Sequence, residues 1–172
     1  MSVVEFRGKK PKVAESVFQA PGSFIIGEVT IDEGSGVWNG AVVRGDDDSV
    51  EIGARSTVLE NCIVEAPVGN PVSIGDDATI SHGAIVHGAT VGDRALVGIG
   101  AIVLDGAEVG EGAVIGAGAV VPPRSVIPPN TLALGVPAKP VREVRAEERN
   151  MINQEQSRVI SKAEAYKKIF VK

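Results

Sequence analysis

Aliphatic residues return every six positions through most of the chain: Ile25, Ile31, Val37 and Val43; Ile52, Val58 and Val64; Ile74, Ile80 and Val86; then Val91, Val97, Val103, Val109, Ile115, Val121 and Ile127. A small residue follows four positions after most of them, as at Ala41, Cys62, Ala84, Ala101, Ala113 and Ala119. The three- and four-residue apolar spacing of a helix is missing here. Within a hexad the aliphatic and small positions are an even number apart, so on a strand both face one side. Glycine often directly follows the aliphatic residue, as at Gly53, Gly75, Gly92, Gly98, Gly110 and Gly116. It predicts corners between short strands, because it reaches backbone angles that other residues avoid. One such unit cannot bury its apolar face alone, whereas stacked units can. Three hexads, about eighteen residues, make a triangular coil, and the pattern predicts roughly six coils stacked at about 4.8 Å. The predicted fold class is an all-β solenoid, a parallel β-helix of hexapeptide repeats.

The departures from the repeat predict the rest of the organisation. Residues 1–24 carry no hexads and are expected to form an edge strand and a cap over the first coil. Extra residues fall between Val43 and Ile52, where Asp46, Asp47 and Asp48 occur, and between Val64 and Ile74, where Pro67, Gly69, Asn70 and Pro71 predict a loop. Val86 to Val91 is one residue short. Pro137 and Pro140 are expected to end the strand pattern. From about Val141 the composition turns to Glu, Arg, Lys, Gln and Ala, and Val144, Ile152, Val159, Ala163, Tyr166 and Phe170 keep roughly helical spacing. The expected division is a capped solenoid over 1–140 and an amphipathic C-terminal α-helix over 141–172, packed on the solenoid or on a neighbouring subunit.

Composition narrows the function classes. The net charge is −5, which argues against nonspecific binding to nucleic acid or to an acidic membrane. Aromatic residues make up 3% of the chain, so no base-stacking platform is expected. No apolar run approaches the ~20 residues that cross a bilayer, and no signal peptide is evident. Cys62 is the only cysteine and falls in the small-residue slot, which predicts an inert core side chain and points to a cytoplasmic location.

Candidate chemistry lies in one column. Hexads three apart share a face of successive coils, so Arg44, Glu65 and His87, each one position after an inward aliphatic, are expected to stack, with Leu104 above them. Neighbours in the column lie about one strand spacing apart, close enough for Glu65 and His87 to share a metal. His82 falls at a corner in the preceding hexad. A three-sided prism suggests a cyclic trimer, in which His82 of one chain completes a site begun by Glu65 and His87 of another. Two imidazoles and a carboxylate suit zinc with an open position, or iron(II). Arg44 and Asp46, in Val-Arg-Gly-Asp, are expected close to that site.

Several motifs carry a resemblance. Val-Val-Arg-Gly-Asp (42–46), Asn61-Cys62, Ile-Gly-Asp (74–76), Ser-His-Gly-Ala-Ile-Val-His-Gly (81–88), Gly-Ile-Gly-Ala-Ile-Val-Leu-Asp-Gly (98–106) and Gly-Val-Pro-Ala-Lys-Pro-Val-Arg (135–142) together resemble the gamma-class carbonic anhydrase family. The resemblance covers almost the whole chain. It implies a left-handed β-helix and a homotrimer with metal sites at subunit interfaces. It also implies a zinc ion (alternatively iron or cobalt) held by three histidines. His82 and His87 match the second and third of these, and Glu65 stands at the first. Leu59-Glu60 stands where the family tends to carry Gln-Asp.

The expected reaction is hydration of carbon dioxide to bicarbonate by metal-activated water, slowed because Glu65 brings negative charge. Arg44 orients Asp46 or favours the anion, and Asp46 or Glu60 relays the proton. Two other classes stay open: a hexapeptide acyltransferase with a histidine general base, and a non-catalytic trimeric metal-binding scaffold.

Overall fold

The computed structural model describes residues 2–170. One sheet stacks seven parallel strands: Phe18–Gln19, Gly36–Val37, Thr57–Val58, Thr79–Ile80, Leu96–Val97, Val114–Ile115 and Thr131–Leu134. The chain is therefore a parallel β-solenoid of about seven turns, one more than the hexads predict. The extra turn comes from the N-terminal segment. Ser2–Val4 and Lys12–Val13 pair in parallel with Phe24–Ile31, and Phe18–Gln19 pairs with Gly36–Val37. The segment expected to form an edge strand and a cap does supply strands at the end of the stack, and they make a further coil without hexads.

The interior holds the aliphatic and small positions and little else. Ile80 and Ala84, Val97 and Ala101, Ile115 and Ala119 are all buried. The corners turn differently from the expectation. Left-handed backbone falls three positions after the inward aliphatic, at Gly83 (φ 67°) and Gly100 (φ 64°), and in other coils at Asn61 (φ 60°) and Asp77 (φ 55°). The glycines directly after the aliphatic do a different job. A Cβ at Gly53 would lie 2.7 Å from the Gly75 carbonyl carbon and 2.8 Å from the Asp76 nitrogen. Close approach of the next coil, rather than an unusual φ, requires them.

Both insertions are accommodated without loss of register. Val42–Ile52 runs as one strand of 11 residues with a bulge, pairing Gly27 with Gly45 and then Val29 with Val50. The three aspartates lie in this bulge. The second insertion stacks on it: Asp48 N–H donates to the Ala66 carbonyl, and Gly69 N–H donates to Asp48 Oδ2.

The last strand, Lys139–Glu143, returns antiparallel along Thr131–Leu134. Pro140 therefore lies inside a strand, which an edge position tolerates. The helix begins later than the composition shift, at Ala146, and runs to Phe170. Its start is capped by Glu148, whose carboxylate accepts the Arg145 N–H and both Arg142 Nη groups. The Arg142 bonds, then the Arg145 N–H, pull the Glu148 carboxyl down to about 2. A depressed folded-state value means the cap holds above the ordinary carboxylate range and is lost as pH falls toward 2.

Twenty-five helical residues span about 37 Å at 1.5 Å per residue, and seven coils at about 4.8 Å span about 34 Å. The helix lies back along the stack for that whole length. Arg149 donates to the Gly112 and Arg94 carbonyls, Gln156 to the Arg55 carbonyl, and Tyr166 packs against Phe18 and Trp38 near the first coils, its ring centroid 5.7 Å from that of Trp38. Among the described residues no helix is long and apolar enough to cross a membrane.

The three faces differ outside. The helix covers one. A second carries Glu51, Ser73, Thr90 and Glu108 in register. The third carries a column of Ile63, Ile85, Ile102 and Val120, with Ile63 39% exposed.

Ile80→Ala should cost ~2–5 kcal/mol in urea denaturation, while Glu108→Ala on the polar face should stay within about 0.5 kcal/mol. Equal costs would contradict this assignment of inside and outside.

Candidate metal centre

Parallel pairing places Arg44 beside Glu65, and Glu65 beside His87. The expected column exists. Arg44 Nη1 lies 3.0 Å from Asp46 Oδ2, and Nη2 bonds Glu65 Oε1. The guanidinium is thus held between two carboxylates. His87 Nε2 lies 4.0 Å from Glu65 Oε1, and its Nδ1 bonds Asp105 Oδ1. Asp46 Oδ1 is buried and has no hydrogen-bond partner.

His82 stands at a corner one coil above Glu60, fixed there by the Gly83 N–H donating to the Glu60 carbonyl and the Gly100 N–H donating to the His82 carbonyl. Its Nδ1 is 2.7 Å from Glu60 Oε2. The contact is close but misaligned, so that buried oxygen remains without a hydrogen bond. His82 borders a groove of about 470 Å³ that Ile99, Met151 and Ile152 also line. Leu59, the neighbour of Glu60, lines the same groove and packs beneath the helix with Trp38, Val159 and Ala163.

Within the chain His82 and His87 do not meet. Among the described residues, no three His, Cys, Asp or Glu side chains converge to hold a metal ion. The donor chemistry nonetheless fits a divalent ion. His87 has a carboxylate bonded at Nδ1, which leaves its Nε2 as the atom available for coordination, and His82 has a carboxylate close by. Of these donors, one chain brings together only the Glu65–His87 pair.

One residue beside the column had no assigned role from the sequence. Asp105 lies one coil above His87 and follows Leu104, so the count that placed Leu104 also reaches it. Its role depends on a side chain turning back around Gly88, which spacing does not encode. Cys62 is buried with its Sγ 2.9 Å from the Ser81 carbonyl.

Known proteins give the same fold and the same relatives. The family described as bacterial transferase hexapeptide (six repeats) matches residues 88–123. The carbonic anhydrase of Geobacillus kaustophilus is 42% identical over 96% of this chain and 91% of its own. The Methanocaldococcus jannaschii protein named "Probable carbonic anhydrase" is 43% identical over 88% of this chain and 96% of its own. The mitochondrial gamma carbonic anhydrase-like 1 of Arabidopsis thaliana is 44% identical, but the match spans only 25% of that protein. Among crystal structures, the BC4754 gene product of Bacillus cereus, which carries an acetyltransferase label, superposes with a TM-score of 0.95 at 41% identity, covering 97% of each chain. A hexapeptide transferase family protein of Anaplasma phagocytophilum gives 0.91 at 32%, covering 95% of this chain and 97% of its own. A hexapeptide-repeat solenoid is the fold shared with these solved structures. The chain belongs to the gamma-class carbonic anhydrase family.

Burial pushes the Cys62 thiol up to about 11. It stays protonated below that value, so a maleimide at pH 8 should label it only after unfolding. Rapid labelling of the native protein would contradict its place in the core.

Proposed function

We propose that the chain is a gamma-carbonic-anhydrase-like metalloprotein that hydrates carbon dioxide slowly, at sites shared between the subunits of a homotrimer. The observation carrying this reading is the register of Glu65 and His87, with Nε2 of the imidazole 4.0 Å from the carboxylate on an open face. Glu65 and His87 of one subunit and the partner subunit's His82 would hold the metal. The uncovered column of Ile63, Ile85, Ile102 and Val120 on the same face supports the trimer, since an apolar strip of this kind favours contact with another copy. Zinc, or alternatively iron(II) or cobalt, would act there as a Lewis acid that makes water a nucleophile at neutral pH.

The chain's own residues shape the rest. Arg44 orients Asp46 and Glu65 by donating to both carboxylates. Glu60, with an oxygen lacking a hydrogen bond beside His82, and Asp46, with its own unpartnered oxygen, can accept and pass on a proton. Leu59 presents no amide to position water. Glu65 places negative charge where the family has a neutral imidazole, and so weakens the activation of water.

Metal analysis and stopped-flow hydration assays, with zinc and with anaerobic iron(II), test this reading. The expectation is about one metal per chain and slow hydration. Rates equal to buffer with both metals would end the hydratase reading. A metal-free trimer that retains coenzyme A would favour the acyltransferase. Glu65→His should raise the hydration rate about tenfold, equivalent to roughly 1.4 kcal/mol off the barrier; no change would argue against a role for Glu65 at the metal.

A further inference from the structure

We infer that Asp105 is a positioning residue that fixes the tautomer of His87 and so directs its Nε2 lone pair to the column of Glu65 and Arg44. The inference rests on the reading of His87 as a metal ligand, and goes beyond it by naming the group that prepares the imidazole. A neutral imidazole carries one proton, and an ionised carboxylate can only accept a hydrogen bond. Asp105 Oδ1 contacts Nδ1, so the proton belongs on Nδ1 and the lone pair on Nε2. That is the nitrogen facing Glu65, 4.0 Å away. A histidine left to water has no such constraint, and half-exposed His87 would otherwise distribute its proton between both nitrogens.

The arrangement is built into the coils. Asp105 lies one coil above His87, where its carbonyl accepts the Arg124 N–H and the following Gly106 N–H donates to the Gly88 carbonyl. These bonds hold the backbone on both sides of the carboxylate. Gly88 (φ 58°) leaves room for the side chain to reach back: a Cβ there would lie 3.1 Å from Asp105 Oδ1 and 2.8 Å from Asn70 Cβ. The insertion around Asn70 therefore closes one side of the passage. Among the described residues no lysine or arginine forms an ion pair with Asp105, so its carboxylate is left to His87.

The test uses metal-free, ¹⁵N-labelled protein and long-range ¹H–¹⁵N NMR at pH 8.5, above the ordinary imidazole range. With two histidines in the chain, His82→Gln assigns the signals. Wild type is expected to show the Nδ1–H form at His87. Asp105→Ala should move it toward Nε2–H, and Asp105→Asn, whose amide oxygen can still accept, should restore Nδ1–H. The His82 signals should not move. Chelator competition should then show zinc bound about 10–100-fold more weakly by Asp105→Ala than by wild type, with Asp105→Asn recovering most of the loss. An Nε2–H tautomer in wild type, an unchanged tautomer in Asp105→Ala, or zinc affinity indifferent to a tautomer that did move would each overturn the inference. If wild type binds no zinc while the tautomer follows Asp105 as described, the metal reading fails and the positioning of His87 stands. Should Asp105→Ala not fold, Asp105→Leu gives the same comparison against the Asn variant.

Discussion

The constraint on which everything else depends is the in-register stacking of parallel coils. Each coil offers its backbone to the next at about 4.8 Å, so a residue's neighbours above and below are set by hydrogen bonds and not by side-chain preference. The inward slots take one aliphatic and one small side chain per hexad because a triangular interior has room for little more. The same register makes columns outside. Arg44, Glu65 and His87 are adjacent because Val43, Val64 and Val86 are stacked beneath them. A one-residue slip would turn all three inward, so the site's geometry and the core's packing are one requirement.

Stacking leaves three outer faces and two open ends, and the chain treats each differently. The helix covers one face along the full stack, anchored by Arg149, Gln156 and an aromatic cluster at Phe18, Trp38 and Tyr166. Acids, serine and threonine keep the second face wet. The third stays apolar and bears the site column at its edge. A thin prism with few aromatics has limited capacity to bury surface within one coil, so covering its outer faces, by its own helix or by another copy, adds the apolar contact that the interior lacks.

Much of this was legible in the sequence, for physical reasons. Hexads in phase specify inward positions, and the count across both insertions held because they bulge outward while the ladder continues, from Gly45 to Val50 and from Ala66 to Val72. The N-terminal coil was not legible, since it borrows its register from Phe24–Ile31 instead of carrying hexads. The strand at Lys139–Glu143 was hidden by Pro140, which an antiparallel edge permits. Corner glycines were visible, but their two functions were not: Gly83 takes a left-handed turn, while Gly53 makes room for the next coil. Asp105 was missed because its importance comes from a side chain doubling back past Gly88.

The stacking also sets the charge around Glu65, which shares the Arg44 guanidinium with Asp46. Two unit charges 4 Å apart interact by about 4 kcal/mol at an effective dielectric of 20, so Arg44, shared between Glu65 and Asp46, offsets only part of their combined charge. A divalent ion at the Nε2 of His87 would therefore meet a carboxylate already shared with a guanidinium, with less charge to give than a free acid. The group keeps a net negative charge that a neutral imidazole at this position would not bring. Asp46 holds the other side of Arg44 and limits how far it can withdraw. Under the proposed function, the balance between guanidinium and metal for one carboxylate oxygen, set by that anchored arginine, would distinguish this centre from a three-histidine one.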